Sequence, residues 1–221
     1  MSTLTADYLD IIDRLPAGAV LKLTDVTWDD YENLLTPMES FHPGHRMSYD
    51  RGTLIIVGPT FEHESYKGLV SGLVYMLADE TDITLEALGS TTFKRKRLKK
   101  GVEPDTCFYV QSATAVIGQL SSLHDEYPPP DVTVEIDLSN DSLDKFAIYA
   151  ALGVPEIWRY DGVATRFYKL TGENYQEIED SLAFSTLTAN VITQYLELSK
   201  TDGHTAALKA FRQMLRSRAS S

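Results

Sequence analysis

Hydrophobic positions change period several times along the chain, and each change marks an element. Leu4, Tyr8, Leu9, Ile12 and Leu15 fall near one helical face, which predicts a short amphipathic helix over residues 3–14, stopped by Pro16-Ala17-Gly18. Thr27 is placed to cap a second helix, Trp28 to Leu35, ended by Pro37. Arg46 to Val57 reads as a β-hairpin turning at Asp50-Arg51-Gly52. Gly58-Pro59-Thr60 then introduces a long helix, Phe61 to Asp79, with Leu69, Leu73, Met76 and Leu77 on its core face.

Short extended segments follow: Thr84 to Leu88, a strand from Thr91 that Gly101 breaks, and Val102 to Val110. After Tyr127-Pro-Pro-Pro130, strict alternation returns. Val132, Val134, Ile136 and Leu138 point to the core, while Asp131, Thr133, Glu135 and Asp137 point the other way. Residues 139–142 offer caps for a helix reaching Leu152, with Gly153 and Pro155 as its stop. A strand Glu156 to Tyr160, the turn Asp161-Gly162, and strands Thr165 to Leu170 and Tyr175 to Glu179 come next. Helices Thr188 to Leu198 and Thr205 to Arg216 close the chain.

This order is an α/β (α+β) pattern with helix, three strands, helix and strand at its centre. No internal repeat or Gly/Ser-rich linker interrupts it, so one domain is expected over residues 1–221. Its core covers about 46–161, with the helices of 3–35 and 188–216 as additions. A hydrophobic content of 43% suits a globular chain of this length. No apolar run approaches bilayer length, and the first residues lack the basic and apolar regions of a signal peptide. A cytoplasmic protein with no membrane partner is therefore expected. The single Cys107 excludes an intramolecular disulfide framework and a cysteine-rich zinc site.

Charge changes the picture locally. The net charge of −12 argues against a surface that binds nucleic acid everywhere. Yet residues 94–100 read KRKRLKK, six basic residues without an acid. Lys94, Arg95, Lys96, Arg97, Lys99 and Lys100 form either a strip that holds a phosphate backbone or a solvated hairpin tip.

Two acids stand out. Asp105 follows Pro104, which lacks a ladder donor and so belongs at a strand start. Glu135 lies inside a central strand, where a carboxylate is costly unless paired, solvated or bound to a cation. Lys145 and Tyr149 lie one turn apart on the following helix, with Asp141 a turn before. Lys145 is either an exposed partner of Asp141 or a group turned toward the acids. Glu64, on the first turn of the long helix, either complements its dipole or points into a cleft. Asp and Glu oxygens without clustered Cys or His favour magnesium or manganese over zinc. His42 and His45, in a Pro-Gly loop, are weak ligand candidates. A cation and a lysine beside a phosphodiester neutralise its charge and generate a nucleophilic water.

The segments YDRGTLIIVGPTFEHE, GSTTFK, KKGVEPDTCFYV and PPPDVTVEIDLSNDSLDKFAIYAALGVPEIWRYDG closely resemble the Uma-two family, restriction-endonuclease-like proteins abundant in cyanobacteria. The resemblance covers about residues 20–200, with several separated blocks in the right order. It implies the PD-(D/E)XK nuclease fold, a mixed central sheet flanked by helices, and Asp105 and Glu135 as metal-binding acids. The motif lysine of that fold would fall at Asp137, an acid. The resemblance implies that Lys145 substitutes from the helix, with Asp137 as an extra ligand or a partner behind the ligands. Glu64 is an added candidate, and Glu103 a weaker one whose alternative is pairing with the basic strip. The expected activity is Mg2+- or Mn2+-dependent hydrolysis of DNA, rather than RNA, by a homodimer. Two alternatives stay open: a non-catalytic binding or regulatory protein that kept the fold, and a hydrolase of another phosphate ester.

Overall fold

The computed structural model describes residues 3–42, 44–118, 127–138 and 145–219. The chain begins with helix α1 (Thr3–Ile12), strand β1 (Val20–Leu23) and helix α2 (Trp28–Phe41). Strands β2 (Arg46–Asp50) and β3 (Thr53–Val57) lead into helix α3 (Phe61–Thr81). Strands β4 (Glu86–Ala87), β5 (Phe93–Arg95), β6 (Lys100–Val102) and β7 (Thr106–Tyr109) follow, with a 3-10 turn at Lys96–Leu98. Then come α4 (Ala113–Val116), β8 (Val132–Ile136), α5 (Phe146–Leu152), β9 (Glu156–Tyr160), β10 (Thr165–Thr171), β11 (Asn174–Ile178) and α6 (Ala189–Ala219).

The strands form two sheets. One has the order β1-β3-β2-β6-β5, the other β11-β10-β9-β8-β7-β4. In the six-stranded sheet β8 and β9 are parallel, joined through α5, and their neighbours are antiparallel. The sequence α3, β4, β7, β8, α5, β9 is therefore the expected helix, three strands, helix, strand around a mixed sheet. The β5–β6 hairpin leaves that run and joins the other sheet instead.

Local chemistry explains most boundaries. Thr60 and Thr27 cap α3 and α2, accepting from the backbone N–H of His63 and Asp30, each at 3.1 Å. The β2–β3 turn puts Arg51 at φ 45° and Gly52 at φ 100°. Two successive positive-φ residues give the turn whose twist matches paired strands. The face of α3 carrying Leu69, Leu73 and Leu77 packs in one core with Val132, Val134, Trp158, Phe167 and residues of α6. A second core joins α2 to β2 and β3 through Tyr31, Leu34, Tyr49 and Ile56.

Three expectations about boundaries are corrected. Pro37 does not end α2; it lies buried inside a helix that runs on to Phe41. A proline there removes one backbone donor from the helix. Gly101 does not break a strand but lies within β6, where a Cβ would meet the Tyr31 hydroxyl at 2.2 Å. The extended run Val102 to Val110 is split, because Glu103-Pro104-Asp105 passes the chain from one sheet to the other. The two closing helices are the arms of α6, which meet at Gly203 with non-helical φ 80° and ψ 166°. The caps expected at 139–142, with Asp141 among them, lie outside the described residues.

Candidate active site

Asp105 and Glu135 come together because β7 and β8 pair with Thr106 opposite Val134. The backbone N–H of Asp105 donates to the Val134 carbonyl at 3.1 Å, extending the ladder by one residue. Its carboxylate Oδ2 accepts from the backbone N–H of Ile136 at 2.6 Å. Asp105 is thus tied twice to β8, on either side of Glu135. Both acids are buried. Val132, Val134 and Ile136 take the opposite face into the main core, as their alternation requires.

Lys145, at the start of α5, donates from Nζ to Glu135 Oε2 at 2.8 Å. Tyr149, one turn on, donates its hydroxyl to Glu135 Oε1. Both are buried, so Lys145 is not the exposed surface pair that helix spacing also allowed. Asp105 faces two further cationic groups. His63 Nε2 lies 3.0 Å from its Oδ2, and Arg46 Nε lies 3.8 Å from its Oδ1. Arg46, Asp105, Glu135, Asp137 and Lys145 all line one cavity of about 490 Å³ between β2–β3, the start of α3, and β8.

Electrostatics divides the two acids. Burial alone would raise Asp105, but the His63 hydrogen bond and the Lys145 charge outweigh it and hold its pKa below the usual value. Burial raises Glu135 to about 7, with the Asp105 charge adding to the rise and Lys145 opposing it. Lys145 stays protonated: burial works against its charge, yet Glu135 and Asp105 carry its pKa above the usual value. The same competition raises His63, where the Asp105 contact overcomes desolvation. Asp105 is thus held as the carboxylate, while Glu135 binds its proton more tightly than an ordinary glutamate.

The remaining expected residues fall elsewhere. Asp137 lines the cavity, but Arg159 Nε donates to its Oδ2 at 2.7 Å. Glu64 is surrounded by cations: Arg46 Nη2 and His63 Nδ1 each lie 3.5 Å from its Oε1, and Lys67 pairs with its Oε2. Glu103 does not pair with the basic strip. It accepts from the backbone N–H of Met47 at 2.8 Å and from Thr92 Oγ1 at 2.6 Å, fastening the crossing between sheets. Within the strip, Lys94 lies 2.9 Å from Glu32 and Lys100 lies 2.8 Å from Asp50, while Lys96 lies 3.7 Å from Glu32. Arg95 donates to the Tyr127 carbonyl at 3.0 Å. Arg97 and Lys99 are exposed.

Arg46, His63 and Tyr149 are site residues that sequence reasoning did not single out. Tyr149 carried a signal, its position one turn after Lys145. Arg46 and His63 carried none, since only the tertiary fold brings β2 and α3 to β7.

A divalent cation fits this donor set. Both acids offer hard oxygens to the one cavity they line. Among the described residues no three His, Cys, Asp or Glu side chains converge as a ligand set.

Comparison with known proteins bears on the family and the fold. The model of the Uma2 family, described as "Putative restriction endonuclease", matches residues 28–199. A solved structure from Anabaena variabilis, described as a "putative nuclease belonging to DUF820", superimposes with a TM-score of 0.52 at 15% identity. The match covers 77% of this chain and 99% of that one, and it establishes a shared fold. No curated protein matches the chain. Among the described residues, no helix is long and apolar enough to cross a membrane.

Proposed function

The chain belongs to the Uma2 family of restriction-endonuclease-like proteins, and from that premise we propose that it hydrolyses phosphodiester bonds in DNA with Mg2+ or Mn2+ held by Asp105 and Glu135. The observation that carries this reading is the Lys145–Glu135 contact of 2.8 Å, buried on the wall of the cavity that Asp105 also lines. It supplies the acid-and-lysine arrangement from a helix where the strand position, residue 137, holds an acid.

A cation bound there would polarise the phosphate and lower the pKa of a water beside it. Asp105 is already ionised and fixed by the Ile136 N–H, so it is ready to act as a ligand. A metal held there would favour the ionised form of Glu135 against the burial that raises its pKa. Lys145 would hold the attacking water or offset charge developing on the phosphate. Arg46 is buried at the same wall and supplies a second permanent positive charge. Cutting both strands of a duplex needs two such sites, which is the reason for proposing a homodimer.

Cleavage assays on supercoiled and linear DNA with added Mg2+ or Mn2+ test this. Expected are cation-dependent products that vanish in Asp105→Ala and Glu135→Ala while the circular dichroism of both variants stays native. A folded wild type that cuts no nucleic acid under any divalent cation would sink the catalytic reading.

One observation favours a second reading. Both oxygens of Glu135 are taken by Lys145 and Tyr149, a closed arrangement that a non-catalytic relative could keep for stability alone. In that case Mg2+ would neither bind nor raise the melting temperature. A rise that is lost in Glu135→Ala would remove this alternative.

A further inference from the structure

The cavity has two unlike halves. One is the charged wall of Asp105, Glu135, Lys145 and Arg46, and the other is built from Ile55, Val57, Pro59 and Leu138. Metal-assisted hydrolysis uses the first half and leaves the second without a role. Phe61 lines the mouth as the first residue of α3 and is 93% exposed, so packing does not explain it. Single exposed aromatics are ordinary, but one at the rim of a half-apolar cavity is placed to meet a ligand.

Arg46 gives the second indication. Its side chain is only 7% exposed, and Nη1 is spent on the Gly44 and His45 carbonyls at 2.7 and 3.3 Å. Its Nε is buried and makes no hydrogen bond, with the Asp105 carboxylate 3.8 Å away. Such an orphaned guanidinium N–H costs stability unless a partner arrives, and a phosphate oxygen is the natural acceptor. His63 Nδ1 and Glu64 Oε1 are also buried without hydrogen bonds, 3.5 Å from each other. Glu64 Oε1 is equally 3.5 Å from Arg46 Nη2. The Glu64 carboxylate thus stands among cationic groups as an anion would, and its other oxygen is already paired with Lys67.

A second depression of about 720 Å³ shares Ser48 and Ile55 with the cavity and is bordered by Lys22, Asp50 and Arg51, whose Nε lies 2.9 Å from Asp50. Both are lined from β2 and β3. By contrast, three lysines of the 94–100 strip face acids of this same chain, and the chain carries −12 overall. That is a poor electrostatic match for a duplex, with its one charge per roughly 1.7 Å of axis. A base within a paired stack also cannot reach an apolar wall.

From these observations we infer that the substrate reaches the acids as an unpaired strand, which replaces the duplex of the reading above and, with it, the two-site reason for a homodimer. One nucleotide enters the cavity with its phosphate at Arg46 and its base against Phe61 and the apolar wall, and the strand continues past Lys22 and Arg51. This rests on the phosphodiesterase reading above and names the substrate class for the same site.

The test is fluorescence anisotropy of the wild-type protein without divalent cation, using a labelled oligothymidylate alone and as its duplex with oligoadenylate. The single strand is expected to bind more tightly. Phe61→Ala should weaken single-strand binding roughly 5- to 150-fold, the range of one base–aromatic stack, with an unchanged melting temperature. Phe61→Trp should keep binding, and its emission should be quenched as the strand is added. Lys22→Ala should lower the salt slope by about 1. If Phe61→Ala binds like wild type, or the duplex binds better, while Mg2+-dependent cleavage persists, the unpaired-strand inference is overturned and the nuclease reading stands. If neither form binds and the wild type cuts nothing, both are overturned.

Discussion

Arg159 donates from Nε to Asp137 at 2.7 Å, and both side chains are buried. The two residues belong to parallel neighbours, with Glu135 opposite Arg159 in register and Asp137 bonded through its N–H to the Tyr160 carbonyl at 2.8 Å. Asp137 is the residue at which the resemblance read from the sequence implies a lysine. Removing one partner of a buried ion pair costs about 3–5 kcal/mol. Asp137→Ala is therefore expected to lower stability by about that amount in urea unfolding. Asp137→Lys should fare no better, since it sets a second cation against Arg159. A loss below about 1 kcal/mol would mean that Arg159 does not depend on Asp137 and that the acid is available as a ligand.

Lys145 and Tyr149 hold different oxygens of one carboxylate, so their variants should differ in kind. If Lys145 acts on the water or the phosphate, Lys145→Met should reduce kcat by about 100- to 10,000-fold with Mg2+ affinity little changed. Tyr149→Phe removes only a positioning contact. It should shift the pH profile upward, because a carboxylate that loses a donor is harder to ionise, with a smaller loss in kcat. Single-turnover cleavage across pH separates the two, and matching profiles for wild type and Tyr149→Phe would deny Tyr149 that role.

What could be read from the sequence follows from the range of the interactions. Asp105 and Glu135 were legible because strand alternation and the proline before Asp105 are local features. The hairpin turn at Arg51-Gly52 and the caps at Thr27 and Thr60 were legible for the same reason. Arg46 and His63 were not, since their contacts to Asp105 span 59 and 42 residues of chain and depend on how two sheets meet. Pro37 and Gly101 misled because local propensity yielded to tertiary structure: Pro37 is buried inside its helix, and Gly101 lies where a side chain would collide with Tyr31. The basic strip looked uniform in sequence, yet its lysines divide between buried or paired positions and exposed ones.

That division predicts two classes of effect within residues 94–100. Lys100 is buried against Asp50, so Lys100→Ala should lower the melting temperature, with nucleic-acid affinity changing only as folding does. Arg97 and Lys99 are exposed, so Arg97→Ala and Lys99→Ala should leave the melting temperature unchanged. If the hairpin touches a phosphate backbone, each should lower the salt slope of binding by about 1. Equal slopes in wild type and both variants would take the strip out of the interface.

The turn between β9 and β10 gives a pH dependence that does not involve the cavity. Asp161 Oδ1 accepts from the backbone N–H of Val163 at 3.0 Å and of Ala164 at 2.8 Å, and Arg166 pairs with Oδ2. Burial pushes the carboxyl up, but the Ala164 N–H and Arg166 outweigh it and bring the pKa from 3.8 to about 2. A folded pKa below the unfolded one means that the unfolded chain binds more protons between those values. The stabilisation from ionised Asp161 is therefore complete above about 3.8 and is lost as pH falls through about 2. Asp161→Asn keeps an acceptor for the two N–H groups but removes the charge. Its unfolding free energy should fall below that of wild type near neutral pH, with the gap constant down to about 3.8 and closing toward about 2. Urea titrations of both proteins across that interval measure the gap directly. A difference that persists at the acid end would assign the contribution to turn geometry rather than to the charge of Asp161.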